Sequence, residues 1–179
     1  MWKKTFLEVV EYTEEEGLER AKIALECGCD ILMGTLFYDS INEFCKSNNL
    51  KYMPFVGQVE DRPSILKGSI DEMINEAKGV YGIDLLGYRY EGNPEELNEK
   101  IVSNVNAPVC IAGSINSYEQ LDKIKKIKPG AFTIGSAFFD NKFGNDFGEQ
   151  INNVYDYIKN ENIRNDENAQ QTLSVWICW

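Results

Sequence analysis

One pattern repeats along this chain: a short apolar run, an amphipathic stretch that opens on a capping residue, then another apolar run. The apolar runs are "TFLEVVEY" (5–12), "DILMGT" (30–35), "KYMPFVG" (51–57), "GIDLLGYRY" (82–90), "PVCIAGS" (108–114) and "AFTIGSAF" (131–138), six in all. Their starts fall roughly 20 to 30 residues apart, enough for a strand and a crossover helix joining parallel neighbours. That spacing predicts an alternating α/β chain whose parallel sheet is covered by helices.

The stretches between the runs carry helix-start signals. Thr13 with Glu16, Ser69 with Glu72, Asn93 with Pro94 and Glu96, and Ser117 with Gln120 each place a capping oxygen three residues before a side chain that can answer it. Leu18, Ala21 and Leu25, then Leu97, Ile101 and Val105, then Leu121, Ile124 and Ile127 recur at helical spacing, so each helix has one face for the core. With 179 residues and 43% hydrophobic content the chain suits one domain, which we place at 1–160. The remaining 161–179 is polar, then apolar in "TLSVWICW", and reads as a disordered tail with no assigned function.

Charge and cysteine content narrow the partners. A net charge of −11 opposes a nucleic-acid backbone or an anionic membrane. Five cysteines, with Cys27 and Cys29 in a C-x-C arrangement and no histidine anywhere, match no zinc spacing and read as reduced thiols. "MWKK" opens no signal peptide and no run reaches the roughly 18 apolar residues of a membrane span, so the expected location is cytoplasmic.

Strands buried on both faces should be apolar throughout, which makes Glu8 and Asp84 the informative exceptions. Sending Leu7 and Val9 to the helix layer turns Glu8, Val10 and Tyr12 the other way; Ile83 and Leu85 do the same for Asp84, Leu86 and Tyr88. The reverse parity would bury each carboxylate against apolar helices at a large desolvation cost. The inward pair is either a set of satisfied interior residues or a general acid and base, with ligation of a divalent cation such as Mg2+ as a further use. Without histidine, Ser-His and Cys-His nucleophiles are excluded, and no lysine sits at a strand end for Schiff-base chemistry. Cys110, mid-strand, reads as a small hydrophobe.

Two neighbouring runs end alike, in Ala112-Gly113-Ser114 and Ile134-Gly135-Ser136. Glycine lets backbone approach a ligand, and a following helix start offers amides to an anion. The segment "PVCIAGSINSYEQLDKIKKIKPGAFTIGSAFF" resembles the closing quarter of the phosphate-binding (β/α)8 barrels, the ribulose-phosphate-binding group that includes sugar-phosphate epimerases. It also resembles the glycerol-3-phosphate-responsive antiterminator barrel. The resemblance implies a TIM-type (β/α) barrel and phosphate binding through Gly113, Ser114, Gly135 and Ser136. The metal-binding histidines of ribulose-phosphate epimerase have no counterpart. Six units are visible where a full barrel needs eight, so the expectation is an incomplete or shortened barrel whose open edge at 5–12 invites pairing into a homo-oligomer.

The remaining site candidates lie in loops beyond strand ends. Gln58 and Arg62 in "GQVEDRPS" suit a ligand's hydroxyls or carboxylate, and Arg89, between Tyr88 and Tyr90, suits a second anionic group or a salt bridge with Glu91. Thr35 completes the expected ring of small polar strand ends. Together these predict a protein acting on a small phosphorylated metabolite, as a sugar-phosphate isomerase, epimerase or lyase with Glu8 and Asp84 in acid-base roles. The alternatives are a non-catalytic metabolite sensor or a truncated inactive fragment.

Overall fold

The computed structural model describes residues 4–159 and 174–177. Strand β1 (Phe6–Glu11), helix α1 (Glu14–Glu26), β2 (Ile31–Thr35), α2 (Asp39–Ser47) and β3 (Lys51–Met53) follow in strict alternation. A short hairpin, β4 (Gln58–Glu60) and β5 (Ile65–Lys67), then interrupts the rhythm before α3 (Ile70–Glu76). Next come β6 (Ile83–Leu85), a 3-10 turn η1 (Gly87–Arg89), α4 (Pro94–Asn104), β7 (Val109–Ile111), α5 (Tyr118–Ile127) and β8 (Ala131–Ile134). The short α6 (Ser136–Phe139), α7 (Phe147–Lys159) and β9 (Ser174–Ile177) complete the described chain.

The parallel strands form two sheets, β1-β2-β3 and β6-β7-β8-β9. The Asp84 amide donates to the Pro54 carbonyl at 2.9 Å and Phe55 pairs with Asp84, which brings the stretch after β3 alongside β6. The described strands do not close into a barrel: β1 and β9 stand at the ends of their sheets. This corrects the count of six strands, because a seventh parallel strand, β9, pairs with β8 from Ala131↔Ser174 to Ile134↔Ile177. The glycine-serine strands are therefore followed by another strand rather than standing last. The rest of the predicted tail, Cys178 included, lies outside the described residues.

The four predicted caps form. Thr13, Ser69 and Ser117 accept from the amides of Glu16, Glu72 and Gln120, and Asn93 accepts from both Glu95 and Glu96. Each answers orphan amides of a first turn, a contribution of about 1 kcal/mol per cap.

Burial separates the two faces of the sheet as strand parity requires. On the helix side, Leu7 and Val9 pack with Leu32 and Tyr52 of the strands against Ala21, Ala24, Ile41 and Cys45 of α1 and α2. On the other side, Phe6 packs with Ile31, Met33, Met53, Cys110 and Ala131, which come from five different strands together with β1's Phe6. A third cluster, with Ile83, Leu85, Leu97, Ile101, Leu121, Ile124 and Phe132, joins β6 to β8 with their helices. One glycine is dictated by strand pairing: Gly34 has φ +88°, and a Cβ there would fall 1.8 Å from the Val9 carbonyl oxygen, beside the register shift between Glu8 and Glu11. Among the described residues no helix is long and apolar enough to cross a membrane, and Cys27, Cys29, Cys45 and Cys110 form no disulfide.

Candidate functional site

The hairpin tip between β4 and β5 leans across the C-terminal ends of the strands. Tyr12, just past β1, donates to the Asp61 carbonyl at 2.9 Å and shares a 2.7 Å hydrogen bond with the Ser64 hydroxyl. Arg62 donates through Nη2 to the Val10 carbonyl at 2.9 Å, with its guanidinium 5.5 Å from the centre of the Tyr12 ring. Arg89, at the end of η1, donates through Nε to the Ser114 hydroxyl at 3.2 Å and through Nη1 to the Ser64 carbonyl at 3.4 Å. Arg62, Tyr12, Ser64, Arg89 and Ser114 thus form one chain of contacts over the strand ends of β1, β6 and β7.

The charge balance of that chain is unusual. Both guanidiniums rest on carbonyls, a hydroxyl and an aromatic face, and among the described residues neither has a carboxylate within ion-pair distance. The salt bridge between Arg89 and Glu91, open from the sequence, does not form. In a chain of net charge −11, two unneutralised guanidiniums on one face leave strong donors for an anion.

The glycine-serine ends sit on paired strands, β7 and β8. Gly113 (φ +90°) and Ser114 (φ +60°) turn left-handed, and a Cβ on Gly113 would lie 2.9 Å from Arg89 Cγ. The glycine lets Arg89 lie over the turn. Ser136 is exposed and opens α6, only four residues long, from Gly135. The helix-start amides expected for an anion are partly taken: Gln120 Oε1 accepts from the Asn116 amide at 2.8 Å, and Ser117 accepts from the Gln120 amide. The donors at this corner include the Ser114 and Ser136 hydroxyls, the Arg89 guanidinium and the backbone amides of the two glycine-serine turns.

Glu8 and Asp84 lie deeper in the sheet. Asp84 is fully buried on the face of Met53 and Cys110, and among the described residues neither carboxylate oxygen has a hydrogen-bond partner. Burial pushes its carboxyl well above the usual carboxylate range, and the nearby Glu8 charge adds to the rise. That Glu8 on the first strand acts on Asp84 on the fourth parallel strand reflects the curl of the sheet. Among the described residues no three His, Cys, Asp or Glu groups cluster to hold a metal. The carboxyl pair offers oxygen ligands of the right kind for Mg2+, and the Asp84 oxygens, orphaned among the described residues, are the observation that fits it.

Three candidates stand elsewhere. Tyr88 does not face inward, because the chain leaves strand geometry at Leu86 (φ −71°, ψ 50°) and winds into η1. Its hydroxyl donates to the Gln120 carbonyl at 3.4 Å, and its ring lines the groove between α4 and α5. Burial, with Glu95 nearby, pushes its phenol up to about 12. Gln58 is exposed at the base of the hairpin, three residues before the tip that carries Arg62. Thr35 is fully buried on the helix side, bonded to the Tyr52 hydroxyl at 2.7 Å, and is no part of the rim.

Sequence reasoning missed Ser64 as a joint of the site. Tyr12 was turned to the correct face by strand parity, but nothing in its neighbourhood signalled the contact with a hairpin 52 residues downstream.

No protein-family model and no curated protein matches the chain. Solved structures do. The Amycolatopsis orientalis BexX/CysO complex aligns with TM-score 0.53 at 14% identity, over 88% of this chain and 68% of that one. An enolase-superfamily member from Listeria innocua aligns with TM-score 0.55 at 11% identity, over 98% of this chain and 44% of that one. A putative mandelate racemase/muconate lactonizing enzyme from Sorangium cellulosum aligns with TM-score 0.54 at 11% identity, over 96% and 46%. The last two neighbours contain TIM-barrel domains, and this chain spans less than half of each. At such identities the likeness is one of fold: a mixed α/β chain with parallel strands arranged as in part of a TIM barrel.

Proposed function

We propose that the strand-end face binds a small phosphorylated metabolite, with its phosphate held by Arg62, Arg89 and the Ser114 and Ser136 hydroxyls. The observation that carries the reading is the pair of guanidiniums without carboxylate partners among the described residues, on the face where parallel α/β sheets hold their ligands. Gly113 and Gly135 keep the turns beneath the phosphate free of side chains.

The same reading makes the protein a sugar-phosphate isomerase, epimerase or lyase. Arg62 grips the carbonyl of Val10, two residues beyond Glu8, so Glu8 lies about 7 Å back along the strand from that carbonyl at 3.3 Å per strand residue. A metabolite anchored by phosphate would send its reacting carbon down that distance. Asp84, held protonated by burial, donates a proton; Glu8 removes one from the adjacent carbon, so that one proton leaves the substrate and one enters. Mg2+ held by the pair would require both carboxyls ionised and would replace this acid-base arrangement, supplying positive charge beside the reacting carbonyl instead.

A second reading is favoured by one observation, the complete burial of Asp84. It describes a metabolite-binding regulator without turnover, in which Asp84 never meets the ligand. Incubation with a panel of sugar phosphates in deuterated water, followed by NMR, separates the two. Deuterium entering a carbon-bound position, and its loss in Glu8→Gln and Asp84→Asn, supports the enzyme; saturable binding without exchange supports the regulator. Turnover unchanged in both variants would remove the acid-base roles.

A further inference from the structure

We propose that Tyr12 is a positioning residue of the strand-end site, whose hydroxyl holds the hairpin tip so that Arg62 and Arg89 act on one anion together. The inference rests on the anion site proposed above and adds what sets its geometry. Tyr12 follows β1 directly and is fixed from behind. The hydroxyl of Tyr38, the residue before α2, donates to the Tyr12 carbonyl at 3.0 Å, and the next residue, Thr13, caps α1.

From that post the side chain reaches a tip 49 to 52 residues downstream. A phenol has one proton, and it goes to the Asp61 carbonyl at 2.9 Å, which can only accept. The 2.7 Å contact with Ser64 is therefore donated by the serine. With its proton taken, the Tyr12 hydroxyl has no donor for a phosphate dianion. It joins the groups that have. Arg62, inside the tip, lies with its guanidinium 5.5 Å from the centre of the Tyr12 ring, and Arg89 reaches the tip through the Ser64 carbonyl. Asp61, Arg62 and Pro63 are exposed, so polar contacts rather than the core fix the tip. Among the described residues, the hydrogen bonds that tie residues 61–64 to the strand ends are those of the two arginines and those of the Tyr12 hydroxyl. Guanidinium N–H groups that turn to a ligand leave their carbonyls; the Tyr12 bonds involve no group the ligand needs, and they persist when the site is filled.

The test is calorimetric titration of the full chain with inorganic phosphate and a panel of triose, pentose and hexose phosphates, in the unchanged protein, Tyr12→Phe, Ser64→Ala and Ser64→Thr. Tyr12→Phe keeps the aromatic ring and every charge but loses both hydroxyl contacts, so anion binding should weaken about tenfold while the melt stays cooperative. Ser64→Ala should also weaken binding, and Ser64→Thr, which keeps a hydroxyl, should restore it. The coupling between the arginines is the readout that a merely stabilising contact would not move. In the unchanged protein the loss in Arg62→Ala/Arg89→Ala should fall short of the product of the two single losses by at least about threefold; in the Tyr12→Phe background the single losses should simply multiply. Affinity unmoved by Tyr12→Phe, or losses that already multiply in the unchanged protein, would overturn the role of Tyr12 and leave the anion site standing. No binding of inorganic phosphate or of any sugar phosphate by the unchanged protein would overturn both.

Discussion

Asp84 is fully buried, and its burial has a measurable sign. A carboxyl raised well above its ordinary value holds its proton in the folded state at pH values where the unfolded chain has lost it. Asp84 therefore costs stability progressively as pH rises from about 4, the ordinary value, up to its raised value in the fold. Asp84→Asn removes that dependence. Thermal melts of the two proteins from pH 4 to pH 8 should show the variant gaining on the unchanged protein as pH climbs; a gap that is constant or narrows would mean the carboxyl is ionised in the fold. Arg89 is the other decisive residue. Replacing it with alanine removes a charged donor, and at about 1.5–3 kcal/mol for such a bond it should weaken phosphate-ester binding about tenfold to a hundredfold, measured by calorimetry.

Elements that carry strong local signals were legible in the sequence, and elements defined by contact were not. The four capped helices form because Thr13, Ser69, Asn93 and Ser117 satisfy amides next to them in the chain, so their chemistry is local. Ser69→Ala should lower stability by about 1 kcal/mol, read by denaturant titration. The β4–β5 hairpin escaped notice because each strand is three residues long and buries little beyond Val59 and Leu66. Tyr88 was misplaced for a different reason: alternation assigns faces only while the backbone stays extended, and η1 ends that at Leu86. At Gly34 the constraint is backbone on backbone, with a left-handed φ and a carbonyl where Cβ would sit. Gly34→Ala should unlatch β1 from β2 and cost several kcal/mol, with a correspondingly large fall in Tm, whereas Gly28→Ala, which meets nothing within 4 Å, should cost only its backbone strain of about 1 kcal/mol.

For the whole molecule, the alternation of strand and helix predicted a parallel α/β architecture, and the fold and its TIM-barrel-containing neighbours agree at that level. Of the residues singled out in the sequence, Arg89, Gly113 and Ser114 lie against one another, and Arg62 is linked to them through neighbours over the strand ends. What joins them, Tyr12 and Ser64, depends on how far the sheet curls, and no local pattern encodes that. The seventh strand was hidden for the same reason: Ser174–Ile177 is four residues whose place is fixed by pairing with β8. Deleting residues 174–179 should strip that pairing, lower Tm and increase association through the uncovered edge, detected by light scattering.

The central claim is that Arg62 and Arg89 make the strand ends an anion site for a phosphorylated metabolite. Calorimetric titration with a panel of triose, pentose and hexose phosphates, run in parallel on the unchanged protein and on Arg62→Ala/Arg89→Ala, tests it most directly. The account predicts saturable binding of at least one sugar phosphate that is lost in the double variant while the melting profile stays cooperative. Binding that is equal in both proteins, or absent from both across the panel, would contradict it.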